Sequence, residues 1–108
     1  PLKSAPYLDI TIAVLDKFGI KIEKMENIEN GLTKFFIKGN QKYKPCSYTV
    51  EGDCSSASYF IAVGVLMNSD IVINNIFKNS KQGDREIVNI VKKMGAPIIE
   101  EDDKIIIK

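Results

Sequence analysis

From Tyr7 to Phe18 the chain is crowded with apolar residues: Tyr7, Leu8, Ile10, Ile12, Ala13, Val14, Leu15 and Phe18. The charges Asp9, Asp16 and Lys17 share one narrow side of a helical projection. That pattern predicts a helix buried around most of its circumference. Ser4-Ala5-Pro6 supplies its start, a serine N-cap with proline in the first turn. Gly19 fits the C′ position that ends it. The period then changes to two. Ile20 to Glu23 (I-K-I-E) alternates and predicts a strand. Asn27 to Gly31 predicts a turn, and Thr33 to Lys38, with Phe35, Phe36 and Ile37, the return strand.

Asn40 to Pro45 is polar and turn-rich and predicts a linker. Ser47 to Val50 predicts a short strand, broken at Gly52-Asp53. A second helix is expected from about Ser55 to Met67; it carries no charge, which predicts protein on all sides. Gly64 inside it costs about 1 kcal/mol against alanine, a cost accepted most readily where another backbone must come close. Asp70 to Asn75 predicts a strand and Asn79 to Gly83 a loop. Asp84 is expected to cap a third helix reaching Met94, with Ile87, Ile90, Val91 and Met94 as its buried stripe. Gly95 ends it. Strands are predicted at Pro97 to Glu100 and Lys104 to Ile107, joined by the acidic turn Glu101-Asp102-Asp103.

Two stretches resemble each other. D-K-F-G-I-K-I-E from Asp16 matches K-K-M-G-A-P-I-I from Lys92, with glycines at 19 and 95, an offset of 95 − 19 = 76 residues. In both, a helix ends at glycine and a strand, a turn and an apolar return strand follow. Offsets of that size suggest duplicated supersecondary units; coincidence of two such runs is the competing reading. The second unit reads as a complete βαβαββ, the first as only an αββ end. The chain, which starts at Pro1 without a methionine, is therefore expected to be cut from a larger protein.

Composition narrows the possible functions. The 108 residues are 44% hydrophobic and 27% charged, with a formal net charge of +1. That balance argues against a nucleic-acid footprint, which needs a basic excess. Of 15 basic residues only Arg85 is an arginine, the usual bidentate clamp for phosphate or carboxylate. Histidine, the commonest general acid–base group, does not occur. Two cysteines, Cys46 and Cys54, without histidine or a C-x-x-C pair do not make a zinc site. They read as reduced thiols of a cytosolic protein, with a disulfide as the alternative. No signal peptide opens the chain. The charge-free run from Cys54 to Ser69 is too short and polar for a membrane span, which needs about 20 apolar residues.

Three segments carry a family resemblance. S-A-P-Y-L-D-I-T (Ser4 to Thr11) resembles the S-x-P-Y-x-D-x-T segment of EPSP synthases, the 3-phosphoshikimate 1-carboxyvinyltransferases. V-E-G-D-C-S-S-A-S-Y-F (Val50 to Phe60) is similar to that family's V-E-G-D-x-S-S-A-S-Y-F, the most specific of the three. N-S-K-Q-G-D (Asn79 to Asp84), followed by K-M-G-A (Lys93 to Ala96), resembles a third. They stand in the family's order, and the resemblance covers essentially the whole chain. The related UDP-N-acetylglucosamine enolpyruvyl transferases share the fold but usually carry a P-D-R-type segment where this chain has E-G-D. RNA 3′-phosphate cyclases share related architecture, and nothing here resembles their motifs. A non-catalytic binding module of the same fold stays open.

The resemblance implies an α/β (α+β) fold, the two-lobe inverse α/β barrel of βαβαββ units. Residues 1–45 would be the αββ end of a unit from one lobe. Residues 46–108 would be a complete unit of the other lobe, with a hinge near Val50 to Asp53. It implies transfer of the enolpyruvyl group from phosphoenolpyruvate to shikimate 3-phosphate, releasing phosphate, in a cytoplasmic and monomeric parent enzyme. No metal or organic cofactor is implied, and neither nucleic acid nor membrane is an expected partner. Ser4 matches the serine that binds the phosphate of shikimate 3-phosphate; from local pattern alone it is an N-cap. Tyr7 matches the tyrosine that lies against the shikimate ring; the local alternative is a core aromatic. Ala5 replaces the lysine of some members. Glu51 and Asp53 match hinge carboxylates beside the cleft. Two carboxylates two apart could do general acid–base work. Structural roles are expected instead, Asp53 as a helix cap and Glu51 paired with a lysine from elsewhere, and Asp84 is likewise expected only as an N-cap. No residue here matches the family's main catalytic carboxylate or lysine, and one arginine cannot rebuild its anion clamp. The chain alone is expected to be inactive.

Overall fold

The structure, a computed structural model, describes residues 3–27, 29–67 and 69–108. The chain is mixed helix and strand and divides into two compact units between Thr49 and Val50. The sequence reading puts that change at 45/46. Residues 41–48 belong with the first unit because they are tied back to it. The Gln41 side chain bonds both the N–H and the C=O of Lys21 (2.7 and 3.0 Å). Lys44 N–H donates to the Phe18 carbonyl at 2.8 Å, and the rings of Phe18 and Tyr48 stand 5.9 Å apart.

The first unit holds α1 (Ala5–Lys17) and a hairpin of β1 (Ile22–Asn27) and β2 (Leu32–Ile37). The strands pair antiparallel, Ile22 opposite Ile37 and Asn27 opposite Leu32. The expected turn between them includes Ile28, which lies outside the described residues. Gly19, at φ +82°, closes α1 in a Schellman motif: Ile20 N–H reaches the Leu15 carbonyl and Gly19 N–H that of Asp16. The expectation of a mostly buried α1 is not met, since none of its residues is buried. One helix beside one hairpin offers too little protein to surround it.

The second unit holds α2 (Cys54–Leu66), β3 (Ile71–Asn74), a 3₁₀ turn (Gly83–Arg85), α3 (Glu86–Lys93), β4 (Ile98–Glu100) and β5 (Lys104–Ile107). Its sheet is antiparallel in the order β3-β5-β4, which puts β5 in the middle. Ile105 and Ile107 of β5 are fully buried and pack with Cys54, Ala57 and Ile61 of α2, Ile76, Val88 and Ile98. Ile106, between them, points to the other face, as the two-residue strand period requires. Gly95 repeats the Gly19 closure: φ is +95°, with Ala96 N–H on the Val91 carbonyl and Gly95 N–H on that of Lys92. Both helices thus run through the same glycine turn into an antiparallel pair of strands.

Four local expectations are corrected. Ser47 to Val50 forms no strand, so the second unit is αβαββ rather than a complete βαβαββ. Val50 and Gly52 bond instead to the single residue Asn75, which cannot start a ladder. The charge-free α2 is not enclosed. Cys54, Ala57, Ile61 and Gly64 form one buried stripe, while Tyr59, Phe60 and Leu66 are exposed. Gly64 makes room for side chains rather than another backbone, since a Cβ there would meet Ile107 Cδ1 at 3.0 Å and Ile71 Cδ1 at 3.2 Å. In α3 the 3₁₀ turn delays the helix and changes its phase. Val88 becomes the buried residue, Ile87 and Val91 are half-buried, and Ile90 and Met94 face solvent.

Candidate functional site

Two helix starts hold the residues singled out, one in each unit. At α1, Ser4 has the left-handed φ of +63°, and its hydroxyl forms no capping bond. Capping needs an extended backbone at that position, from which the side chain can reach the N–H groups of the first turn. The expected N-cap bond is therefore absent, although Ser4 does occupy the position before the helix. Tyr7 N–H donates to the Ser4 carbonyl at 3.1 Å. The Tyr7 ring is 70% exposed, which removes the core-aromatic alternative within this unit. The first turn of α1 carries no acidic residue. The nearest carboxylate on the helix, Asp9, pairs with Lys24 at 2.9 Å, and Glu26 meets the same ammonium at 2.8 Å. The Asp9 bond, then the Glu26 bond, hold the Lys24 ammonium above its ordinary pKa. What remains at the α1 start is an exposed hydroxyl and a phenol beside the positive end of the helix dipole.

At α2, Asp53 is an N-cap in full. Its backbone is extended and its carboxylate accepts from Ser55 N–H (3.1 Å), Ser56 N–H (3.2 Å) and the Ser56 hydroxyl (2.6 Å). The Ser56 hydroxyl, then the Ser55 N–H, hold the Asp53 pKa below its ordinary value. Glu51 has no ion pair among the described residues. Asp84 does not cap α3; it lies in the 3₁₀ turn and accepts a hydrogen bond from the Ser55 hydroxyl. Gln82, which sequence reasoning passed over, bonds both sides of Asp53: its Nε2 donates to the Gly52 carbonyl and its Oε1 accepts from Cys54 N–H, each at 2.8 Å. The second and third motif segments are thus one structural assembly. N-S-K-Q-G-D shows a glutamine amide that can donate and accept at once, but nothing local to it names Gly52 and Cys54 as its partners.

Arg85 is occupied by structure. It is nearly buried, its Nε donates to the Phe77 carbonyl at 2.9 Å, and its guanidinium pairs with Glu100. Lys92 holds the other Glu100 oxygen at 2.8 Å. The Lys92 and Arg85 bonds keep the Glu100 pKa below its ordinary value. Both cysteines are free thiols, Cys46 exposed and Cys54 buried. Burial, followed by the Glu51 charge, pushes the Cys54 thiol up, away from thiolate chemistry. An open groove of about 450 Å³ lies between the α2 start and the 3₁₀ turn, lined by residues that include Ser55, Tyr59 and Asp84. Among the described residues no three His, Cys, Asp or Glu side chains converge where a metal ion could sit. No helix among them is long and apolar enough to cross a membrane.

The fold and these two helix starts define an α/β segment in which one start, at Ser4, has no side-chain cap and the other, at Asp53, is capped and fastened. The chain belongs to the EPSP synthase (3-phosphoshikimate 1-carboxyvinyltransferase) family, whose family model matches residues 2–108. It is 89% identical over all 108 residues to a 3-phosphoshikimate 1-carboxyvinyltransferase of Methanococcus aeolicus, and 61% identical over 108 residues to one of Methanocaldococcus jannaschii. It is 41% identical over 102 residues to one of Methanosphaera stadtmanae. It spans 25%, 24% and 24% of those three proteins, about a quarter of each.

Proposed function

We propose that the protein of which this chain forms about a quarter transfers the enolpyruvyl group of phosphoenolpyruvate to a hydroxyl of shikimate 3-phosphate, releasing phosphate. It would do so in the cytoplasm, as a step of aromatic amino-acid biosynthesis. The observation that carries the reading is the family match over residues 2–108, with relatives that share one enzymatic name. The reaction passes through a tetrahedral intermediate. The acceptor hydroxyl adds across the enol C=C, its oxygen bonding to the phosphate-bearing carbon as it gives up its proton and the methylene carbon takes one to become methyl. The carbon–oxygen bond to phosphate then breaks as the methyl group loses a proton, which restores the C=C and releases phosphate.

In this reading Ser4 Oγ donates to the phosphate of shikimate 3-phosphate, and the helix dipole of α1 adds a favourable field. The missing cap bond supports that role, because the hydroxyl is not spent on its own helix. Tyr7, one turn on and exposed, would lie against the sugar-like ring. Glu51 and Asp53 would flank the cleft at the crossing between lobes, Asp53 mainly by holding the α2 start. In the full-length protein, Ser4→Ala is expected to weaken shikimate 3-phosphate binding by about 1.5–3 kcal/mol, the value of a hydrogen bond to a charged group. Calorimetric titration reads this directly, and an unchanged dissociation constant removes Ser4 from the site. The activity itself is tested by phosphate release from phosphoenolpyruvate that requires shikimate 3-phosphate.

A further inference from the structure

The segment leading into α2 is fastened from both sides. Gly52 N–H donates to the Asn75 carbonyl at 2.7 Å, and Asn75 Nδ2 donates to the Val50 carbonyl at 3.0 Å. The approach is close enough that a Cβ on Gly52 would stand 2.9 Å from the Asn75 oxygen. On the far side the Gln82 amide spans Asp53, taking the Cys54 N–H and giving to the Gly52 carbonyl. Gln82 is itself held, its N–H donating to the Ser80 hydroxyl at 3.2 Å. The two peptide groups flanking Asp53 therefore have their directions set by one side chain from another loop.

We propose that Gln82 is a positioning residue for the reaction: its amide fixes the peptides on either side of Asp53, and so the placement of Glu51 and Asp53 at the substrate cleft. The inference rests on the proposed enolpyruvyl transfer. Asp53 caps α2 through its side chain, but a cap leaves open which way the peptide before it turns. Gln82 settles that, because its donor and acceptor demand opposite groups at Gly52 and Cys54. A carboxylate in its place keeps only the acceptor, and a methionine of similar length keeps neither. A group that orients a cleft segment affects turnover and substrate affinity together, as hinge and closure positions do.

The test uses the full-length protein with phosphate release as the readout. Gln82→Met is expected to lower kcat/KM about tenfold to a hundredfold, with kcat and the KM for shikimate 3-phosphate both changed. Gln82→Glu is expected to be impaired at neutral pH and to regain activity relative to wild type as pH falls. Its protonated carboxyl then donates to Gly52 again while still accepting from Cys54. The ionisable groups around it, Glu51, Asp53 and Cys54 on the clamped segment and Asp84 and Arg85 on the 3₁₀ turn, are common to both proteins, so the ratio isolates residue 82. A variant with wild-type kcat and KM but a lower thermal midpoint shows a structural role only and overturns the proposal. If Gln82→Met does not fold, the pH-dependent ratio for Gln82→Glu decides; a flat ratio overturns it. A wild-type protein without activity refutes the enolpyruvyl reading instead.

Discussion

Ser4 and Asp53 occupy the same position of two helices and use it differently. Asp53 is extended and spends both carboxylate oxygens on its own helix. Ser4 is left-handed and gives its helix a carbonyl but not its hydroxyl. Asp53→Ala is expected to lower the urea midpoint of unfolding, and Asp53→Asn, which still accepts from the first turn, to retain most of it. Because the folded Asp53 pKa is lowered, its stabilisation is complete above the ordinary carboxylate value of about 3.9 and is lost as pH falls through the lowered one. Part of the gap between wild type and Asp53→Ala should therefore close in acid, leaving the share that a neutral acceptor supplies, as in Asp53→Asn; a gap that does not narrow at all would mean that the charge adds nothing to the cap. Glu100 follows the same sign, with a side chain only 11% exposed. Arg85→Met leaves that carboxylate with Lys92 alone, a loss expected on the order of 3 kcal/mol in chemical denaturation. A change of a few tenths would show that the pair is not a buried one in solution.

At the scale of elements, the two glycine closures and Gly64 act by different means. Gly95 has open space around its missing Cβ but a φ of +95°, so Gly95→Ala costs only backbone strain, about 1–2 kcal/mol. Gly64 has ordinary helical geometry but no space, facing Ile107 and Ile71 of the sheet. Gly64→Ala gains about 1 kcal/mol of helix propensity against an overpacking cost of about 1–3 kcal/mol, and a net destabilisation is expected because Ile107 is fully buried. Thermal unfolding of the two variants checks both, and a stabilised Gly64→Ala would mean that the isoleucines yield. Helices, strands and both glycine stops were legible in the sequence because their signals are local. The phase of α3 was not, since a 3₁₀ turn at Gly83–Arg85 leaves no periodic signature and moves burial from Ile90 to Val88. Nor was the fate of Ser47 to Val50, which depended on Asn75, far along the chain.

At the scale of the whole molecule, motif and chemistry were legible to different depths. The three motif segments identified the family, and the structure adds that two of them interlock through Gln82 and through Ser55 with Asp84. That union was not readable from sequence, because it joins side chains about thirty positions apart through general polar groups. Burial was misjudged for α1 and α2 for one reason: apolar pattern reports how much contact a helix seeks, and each unit supplies only part of it. Leu66 of α2 is 84% exposed and Tyr7 of α1 70%. The single arginine is committed to Glu100 and Phe77, so the 108-residue chain by itself is expected to show no turnover. Phosphate release by that isolated chain, dependent on shikimate 3-phosphate, would contradict this.

The most direct measurement is phosphate release from phosphoenolpyruvate by the full-length protein, offered shikimate 3-phosphate in one reaction and UDP-N-acetylglucosamine in another. The account predicts release with shikimate 3-phosphate alone, and its loss when Ser4→Ala is assayed at low acceptor concentration. Release with the nucleotide sugar instead, or with neither acceptor, would contradict it.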